Sequence, residues 1–197
     1  THILCCSDMI PTYFLFDTQF DIKYARLSIG DFYLTDIFSY FRAATDFIHV
    51  CNPLNAADRD NKGDAKYRIL VHCEMGKSRS STIVMAYLLA NKVRLNALQR
   101  VRFDYIRNEL NTHRKQKKQA MITEEKEDAK EESQEMEIEE AVSMRLSEAY
   151  YYVKCCRDLI EPNNGFLLQL AKWEEICYQN DQQRCTLLQT PKFCKNK

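Results

Sequence analysis

The fold is decided by one stretch of the chain, Val71-His72-Cys73-Glu74-Met75-Gly76-Lys77-Ser78-Arg79-Ser80-Ser81. An apolar run, Tyr67–Val71, precedes the central loop of this stretch and is typical of a buried strand. A second run, Thr82–Ala90, is apolar on nearly every side and is typical of a buried helix. A strand, a tight loop and a helix N-terminus in this order predict an anion site, because free N–H groups converge there and the helix dipole favours negative charge.

The residue types in this loop suit nucleophilic attack on a tetrahedral oxyanion. A thiol at an electropositive helix N-terminus loses its proton below its usual pKa of roughly 8.5, so we expect Cys73 to be a thiolate nucleophile. The planar fork of Arg79 can hold two oxyanion oxygens, and Gly76 allows the loop to turn. Ser80 can donate a hydrogen bond to the sulfur and stabilise it as a leaving group. His72 is expected to support the loop rather than to act as a base, because it precedes the nucleophile at the end of a strand.

The competing interpretation of Cys73 is a buried and inert thiol, which is the usual state of a single cysteine in a cytosolic chain. Five fixed residue types at these offsets arise by chance about three times in ten million start positions, if each type has a frequency of roughly 5%. The predicted strand before the loop and the predicted helix after it are independent support. The spacing therefore favours a nucleophile.

Three segments resemble dual-specificity protein phosphatases of the cysteine-dependent class. His72–Ser80 resembles their HCxxGxSRS signature, Ala86–Leu89 resembles the AYLM-type helix that follows it, and Glu161–Leu170 resembles their PN-GF-QL segment. The resemblance implies an α/β fold with a central, mostly parallel sheet flanked by helices, and an active loop at the carboxyl end of a strand. It also implies hydrolysis of phosphotyrosine and phosphoserine/phosphothreonine in proteins through a phosphocysteine intermediate, with no metal or other cofactor.

The resemblance implies a set of site residues. Cys73 is the expected nucleophile, Arg79 the phosphate-binding arginine and Ser80 the group that eases departure of the thiolate. The expected phosphate-binding loop comprises Glu74, Met75, Gly76, Lys77, Ser78 and Arg79.

Asp31 is the candidate general acid. It lies between a predicted strand, Lys23–Ile29, and a predicted helix, Phe32–Val50, which is where the resembled family carries an aspartate that protonates the leaving oxygen. The alternative is an aspartate that only caps the helix. Asp36 is the second candidate for the acid.

Composition limits the partners and the compartment. The chain has 197 residues, a formal net charge of zero and no apolar run near the roughly 18 residues of a membrane span, so nothing favours nucleic acid or a membrane. Its nine cysteines are an odd number without zinc-site spacing, which indicates free thiols in a reducing compartment. We therefore expect a cytoplasmic protein, with the nucleus as the alternative.

We predict one catalytic domain over residues 1–180, interrupted by a charged insertion at 92–143 and followed by a loose polar tail at 181–197. His2–Cys6 is typical of a short strand. In the resembled family a further strand and helix precede this point, so we expect the first strand of the domain to be missing. Asn52–Ala65 is predicted to be a surface loop.

The insertion allows three interpretations. It begins with an amphipathic pattern, continues through a basic run at His113–Lys118 and ends in an acidic run at Glu124–Glu140. A solvated, partly disordered segment is favoured by its low hydrophobicity. A helical hairpin that recruits a protein partner and a basic site for nucleic acid or anionic lipid are the alternatives. A retained intron would also produce such a stretch.

The chain after the insertion returns to the domain. Ala149–Ile160 is predicted to be a helix that Pro162 ends, and Asn163 or Asn164 is predicted to cap a further helix, Phe166–Tyr178. Trp173 on that helix is expected to pack in the core rather than to bind a ligand.

Two other functions remain open at this level. Lys77 adds positive charge to the loop, as in related lipid phosphatases, although Glu74 offsets it; a lipid or RNA 5′-phosphatase is therefore one alternative. A phosphate-reading binding module without turnover is the other.

Overall fold

The computed structural model describes the backbone of residues 2–13, 22–51, 68–91, 97–121 and 143–189. Within these ranges, the side chains of residues 51, 97–99, 117–121 and 180–189 are not described. The predicted loop Asn52–Ala65 and the acidic run Glu124–Glu140 lie outside the described residues, and their interpretation stays a prediction.

Three short parallel strands form the sheet that positions the site. They are β1 (His2–Cys5), β2 (Lys23–Arg26) and β3 (Ile69–His72), in the order β2-β1-β3. The register pairs the last residue of β1 with the last residues of β2 and of β3. Because all three strands end level with one another, the segments that follow them meet at one edge of the sheet. The predicted α/β fold with a parallel sheet is confirmed.

Burial distinguishes the central strand from its neighbours. Every residue of β1 is buried, since it has a strand on each side. In β3 the side chain of Leu70 is 56% exposed, so the prediction of a wholly buried strand before the loop is wrong. Successive side chains of a strand point to opposite faces, and the face that carries Leu70 is open at this position.

Five helices surround the sheet in the described part of the chain: α1 (Phe38–Cys51), α2 (Arg79–Ala90), α3 (Ala97–Met121), α4 (Leu146–Cys156) and α5 (Asn164–Gln189). The central one is α2, which contacts β3, α1, α4 and α5 and is buried over almost its whole length. The prediction of an all-round apolar helix is therefore confirmed. Trp173 of α5 packs on the core, and its Nε1–H donates to the Ala86 carbonyl oxygen at 3.1 Å, as expected of a structural tryptophan.

Several predicted boundaries differ from the observed ones. α2 begins at Arg79 rather than Thr82, because the polar residues Ser80 and Ser81 already belong to its first turn. β2 ends at Arg26 rather than Ile29. The Arg26 guanidinium bonds to the backbone carbonyls of Ser7 and Ile10, where the chain leaves the sheet.

The segment after Asp31 forms a turn before it forms a helix. The Thr35 N–H donates to the Phe32 carbonyl at 3.1 Å, and Asp36 Oδ1 accepts the Ser39 N–H at 3.2 Å, which caps α1. The predicted helix start at Phe32 is therefore wrong. The predicted apolar period of the helix is confirmed, because its inward-facing residues are buried or half-buried: Ile37, Tyr40, Phe41, Ala44, Phe47 and Ile48.

The amphipathic part of the 92–143 segment is a packed helix. Phe103 and Ile106 of α3 are buried, and Phe103 makes an edge contact with Tyr152 of α4 at 6.4 Å between ring centroids. Arg107 pairs with the buried carboxylate of Glu148 on α4 at 2.8 Å. The favoured expectation of a solvated segment is therefore wrong for this half, since one apolar stripe of α3 is covered by α4.

The last helices differ from their predicted limits. α4 ends at Cys156, before the predicted end at Ile160. Asn163 caps α5 by accepting the Phe166 N–H at 3.0 Å, as predicted. α5 then continues to Gln189, so the predicted polar tail at 181–197 is helical over 181–189. Polar composition alone does not end a helix, and the first proline after Pro162 is Pro191.

Candidate active site

The loop between β3 and α2 is held from its outer side. Gly76 has a φ of 65°, the left-handed conformation that glycine adopts without strain. The Arg157 guanidinium donates to the carbonyl oxygens of Met75 at 3.2 Å and Gly76 at 3.1 Å, and the Glu161 N–H donates to the carbonyl of Lys77 at 2.9 Å. Because these carbonyls point outward, the loop amides are available to its interior.

Cys73 lies at the start of this loop and is 6% exposed. Burial opposes its ionisation, but the hydroxyl and the N–H of Ser80, the N–H of Gly76 and the charge of Arg79 outweigh burial and lower the pKa of the thiol. The Cys73 Sγ and Ser80 Oγ are 3.2 Å apart, as the sequence predicted. The Cys73 thiol therefore ionises more readily than an ordinary cysteine thiol.

A second buried cysteine shows how local this effect is. Cys6 follows β1 and is fully buried. Burial, followed by the neighbouring Cys73 and Cys5, raises the pKa of the Cys6 thiol strongly, and the charge of Arg79 only partly offsets them. Of these two buried thiols, only Cys73 is positioned for ionisation, because only Cys73 receives the loop hydrogen bonds.

Arg79 is the buried cation of the site. Its Nη1 donates to Ser7 Oγ at 3.1 Å and to the Ile29 carbonyl at 3.3 Å, and its Nη2 lies 2.8 Å from Glu74 Oε2. The Nε–H is buried and has no hydrogen-bond partner. A buried and unpaired donor on a permanently charged group costs free energy unless a ligand accepts from it. The Nε–H, which makes no hydrogen bond although Asp31 Oδ2 lies 3.5 Å away, is thus a donor that an oxyanion could use.

Asp31 reaches the same place from the segment that follows β2. Its Oδ1 accepts from Ser78 Oγ at 2.7 Å and from the Asn163 side-chain amide at 2.8 Å, while its Oδ2 lies 3.5 Å from Arg79 Nε. The alternative of a helix cap does not apply to Asp31, because Asp36 performs that role. With Oδ1 held by two donors, Oδ2 is the oxygen that remains for proton transfer.

The turn that carries Asp31 is held by the start of α5. Gln169 accepts the N–H groups of Ile37 and Phe38, each at 2.9 Å, and donates to the Thr35 carbonyl at 2.9 Å. Gly165 lies close to the backbone of Tyr33, and a Cβ atom at position 165 would collide with the carbonyl oxygen of Tyr33. The segment that resembles PN-GF-QL therefore holds the turn that follows Asp31.

A cleft of about 210 Å³ joins these groups. Its walls include Asp31, Cys73, Met75, Lys77, Ser78, Arg79, Glu161 and Asn163. Among the predicted site residues, Ser80 reaches the sulfur from α2 and Glu74 pairs with Arg79. His72 is half-buried at the end of β3, where its carbonyl accepts the Cys6 N–H at 2.7 Å, and a supporting role for its side chain stays a prediction.

Sequence analysis gave no site role to four contributors. They are Ser7, which holds Arg79, and Arg157, Glu161 and Asn163, which hold the loop and Asp31. Glu161 and Asn163 had a signal, since both belong to the segment that resembles PN-GF-QL. Ser7 and Arg157 lie far from Cys73 in sequence and act through one or two hydrogen bonds, which leave no pattern.

In the part of the chain that the structure describes, the His, Cys, Asp and Glu side chains form no group able to hold a metal ion. Within these same ranges, none of the helices combines the length and apolar character needed to span a bilayer.

The fold and the cleft together describe an α/β protein in which a cysteine and a buried arginine meet at the carboxyl edge of a parallel sheet. The family model described as "Dual specificity phosphatase, catalytic domain" matches residues 1–124, which is more than half of the 197 residues. The chain therefore belongs to the dual specificity phosphatase family. The resemblance inferred from the loop sequence is confirmed.

Individual relatives are distant. The chain is 28% identical over 153 residues to dual specificity protein phosphatase 5 of Rattus norvegicus. The aligned region covers 78% of this chain and 24% of that protein. The chain thus spans about a quarter of the length of that relative.

Solved structures show the same fold. Human DUSP28 superposes with a TM-score of 0.53 at 18% identity, covering 91% of this chain and 80% of the other. The Yvh1 phosphatase domain from Chaetomium thermophilum superposes with a TM-score of 0.53 at 23% identity, covering 89% and 79%.

Proposed function

We propose that this chain is a protein phosphatase that hydrolyses phosphotyrosine and phosphoserine/phosphothreonine through a phosphocysteine intermediate. The observation that carries this proposal is the buried Arg79 Nε–H, which makes no hydrogen bond although Asp31 Oδ2 lies 3.5 Å away, in a cleft that also contains the Cys73 thiol. One oxyanion would accept from Arg79 while its central atom faces the sulfur.

The first step forms a sulfur–phosphorus bond. The Cys73 thiolate attacks phosphorus in line while the phosphorus–oxygen ester bond breaks, and Asp31 gives its proton to the leaving oxygen. Arg79 and the loop amides of residues 74–79 hold the other phosphate oxygens. Charge stabilisation comes from these fixed donors.

The second step releases phosphate. Water attacks phosphorus, the Asp31 carboxylate takes a proton from it, and the sulfur–phosphorus bond breaks with the electron pair returning to Cys73. The hydrogen bond between Ser80 and the sulfur stabilises the departing thiolate. The enzyme returns to its starting protonation state after each turnover.

The test is hydrolysis of a small aryl phosphate as a function of pH, with a chelator present. We expect a bell-shaped profile, because the thiolate and a proton on the acid are needed together. Folded protein without turnover, or turnover that appears only when a divalent metal is added, would contradict the proposal.

The remaining alternatives predict different results. A phosphate-reading module would bind phosphopeptides without hydrolysing them. A lipid or RNA 5′-phosphatase would prefer a phosphoinositide or a 5′-triphosphorylated RNA over a phosphopeptide at equal concentration. The ionisable Cys73 thiol favours turnover, and Glu74, which neutralises part of the loop charge, disfavours the more highly charged substrates.

We also propose that the 92–143 segment recruits an acidic protein partner. A groove of about 690 Å³ lies where α3 meets α4 and α5, lined by Arg114, Arg145, Leu146, Ser147, Tyr150, Leu167 and Glu174. Arg114 and Arg145 lie beside the apolar side chains of this groove, which complements a peptide with acidic and apolar residues. Glu174 pairs with Arg145 at 3.9 Å, so Arg114 and the exposed Lys115 that follows it in the chain are the cations to test.

The partner proposal can be tested with a synthetic peptide of alternating glutamate and leucine. We expect titration calorimetry to detect binding to the intact chain and to lose it in Arg114→Glu/Lys115→Glu. Equal binding by both proteins, or none by either, would overturn this proposal.

The proposed compartment is the cytoplasm, with the nucleus as the alternative. Among the described cysteines, Cys5, Cys6, Cys73, Cys155 and Cys156 are free thiols, and a catalytic thiolate needs a reducing environment. Detection of the tagged chain only in secretory compartments would contradict this placement.

A further inference from the structure

The turn directly after Asp31 exposes three consecutive apolar side chains. Phe32 is 73% exposed, Tyr33 is 56% exposed and Leu34 is 88% exposed. Met75, which lines the cleft from the phosphate-binding loop, is 68% exposed. We call these four residues the apolar rim.

The backbone of this turn is fixed. The Thr35 N–H closes the turn on the Phe32 carbonyl, and Gln169 binds the Thr35 carbonyl at 2.9 Å. The backbone of Tyr33 lies directly against Gly165 of α5. This hydrogen-bonded turn keeps three neighbouring apolar side chains in water, and the protein thereby loses the free energy that their burial would give. A single exposed leucine is common on protein surfaces, but three adjacent apolar side chains are not.

The position of the rim indicates what covers it. Its first residue follows Asp31, and Met75 is two residues beyond Cys73, so the rim adjoins the cleft from both the acid side and the nucleophile side. The cleft itself, at about 210 Å³, holds a phosphate and part of one side chain, not a peptide. The residues next to a bound phosphoresidue, each about 3.3 Å further along an extended chain, must therefore lie on or beside the rim.

We propose that the apolar rim selects phosphoprotein segments in which apolar or aromatic residues flank the phosphoresidue. This inference rests on the proposed function and names the substrate class of the same site. The exposed carboxylate of Glu161 at the cleft supports it, because this negative charge disfavours acidic flanking residues. Phe32 and Leu34 are thus specificity-determining residues and take no part in the chemistry.

The test compares two phosphotyrosine peptides that differ only in their flanking residues, leucine and phenylalanine in one and serine in the other. We expect kcat/KM to favour the apolar peptide about tenfold, which corresponds to burial of roughly one large side chain. In Phe32→Ser/Leu34→Ser we expect this ratio to fall close to one. The matched control is Val50→Ser, an equally exposed apolar residue at the far end of α1 that should keep the wild-type ratio.

Binding separates this inference from the proposed function. The Kd values of both peptides for Cys73→Ser, measured by fluorescence anisotropy, give the same ratio without turnover. A tenfold preference in binding by Cys73→Ser, together with no hydrolysis of either peptide by the wild type, would support the rim and refute the phosphatase proposal. No preference in the wild type, or an unchanged preference in the double variant, would overturn the inference.

A membrane is the other apolar surface that the rim could meet. Cosedimentation with phosphatidylcholine vesicles, with and without phosphatidylinositol phosphate, tests it directly. Vesicle binding that is lost in Phe32→Ser/Leu34→Ser, together with equal affinity for the two peptides, would overturn the peptide proposal.

Discussion

The phosphate-binding loop, residues 73–79, and the helix α3 are attached to the protein in different ways. The loop joins β3 directly to α2, and its carbonyls, its arginine and its cysteine each have fixed partners. α3 is held mainly on one side, by the contacts of Phe103, Ile106 and Arg107 with α4. Its residues 111–116 are exposed.

Because of this difference, substitutions in the loop and substitutions in α3 should affect different properties of the protein. In the loop, one change of side chain alters the charge, the proton position or the nucleophile, so its effect falls on turnover. In α3, the partners of the chosen residues are other side chains of the core, so the effect falls on stability. Substitutions in the two regions can therefore be compared by their effects on turnover and on stability.

Cys73→Ser removes the nucleophile and keeps the volume of the side chain. We expect turnover of an aryl phosphate to fall by at least about a thousandfold, because a serine hydroxyl is not ionised near neutral pH. The thermal unfolding midpoint should stay close to that of the wild type, since the substitution is nearly isosteric. Retained turnover would mean that another residue attacks phosphorus.

Asp31→Asn keeps both side-chain contacts possible but removes the transferable proton. We expect kcat to fall roughly a hundredfold and the basic limb of the pH–rate profile to disappear. Asp36→Asn is the matched control, because asparagine caps a helix as well as aspartate and α1 should remain intact. If Asp36→Asn rather than Asp31→Asn removed the basic limb, the acid would be Asp36.

Ser80→Ala removes the hydroxyl that faces the Cys73 sulfur. That hydrogen bond helps to lower the pKa of Cys73, so its loss raises this pKa and reduces the thiolate fraction at a given pH. We expect the acidic limb of the profile to move to higher pH by up to about one unit. Ser81→Ala, whose hydroxyl bonds to the Ser78 carbonyl instead of the sulfur, should leave the acidic limb in place.

Phe103→Ala tests whether α3 is part of the packed domain. We expect a loss of about 3 kcal/mol in the free energy of unfolding, because Phe103 is fully buried, and no more than about a twofold change in kcat at temperatures where the protein is folded. Val101→Ala, on the exposed side of the same helix, should change stability by less than about 0.5 kcal/mol. Equal stability of the two variants would show that α3 does not pack as described.

The sequence predicted the parts whose geometry is local. The left-handed Gly76, the strand–loop–helix order and the contact of Ser80 with Cys73 all lie within one short stretch, where spacing fixes distance. The burial of Ile37, Phe41 and Ala44 also followed, because helical period alone determines which face is apolar.

The remaining features depend on residues that are distant in sequence. Arg157 and Ser7 reach the candidate active site across the fold by one or two hydrogen bonds, and α3 is stabilised by Glu148 on a different helix. The turn at residues 32–35 was predicted to be helical, because its apolar side chains extend the period of α1 although they face solvent. Neither composition nor periodicity contains this information.

The most direct test of the phosphocysteine mechanism is rapid acid quenching during the first turnover, followed by mass spectrometry of the peptides. The mechanism predicts one phosphoryl group on the peptide that contains Cys73, which appears before free phosphate and is absent from Cys73→Ser. Phosphate release in a first turnover without any phosphorylated Cys73, or with the phosphoryl group on another residue, would contradict it.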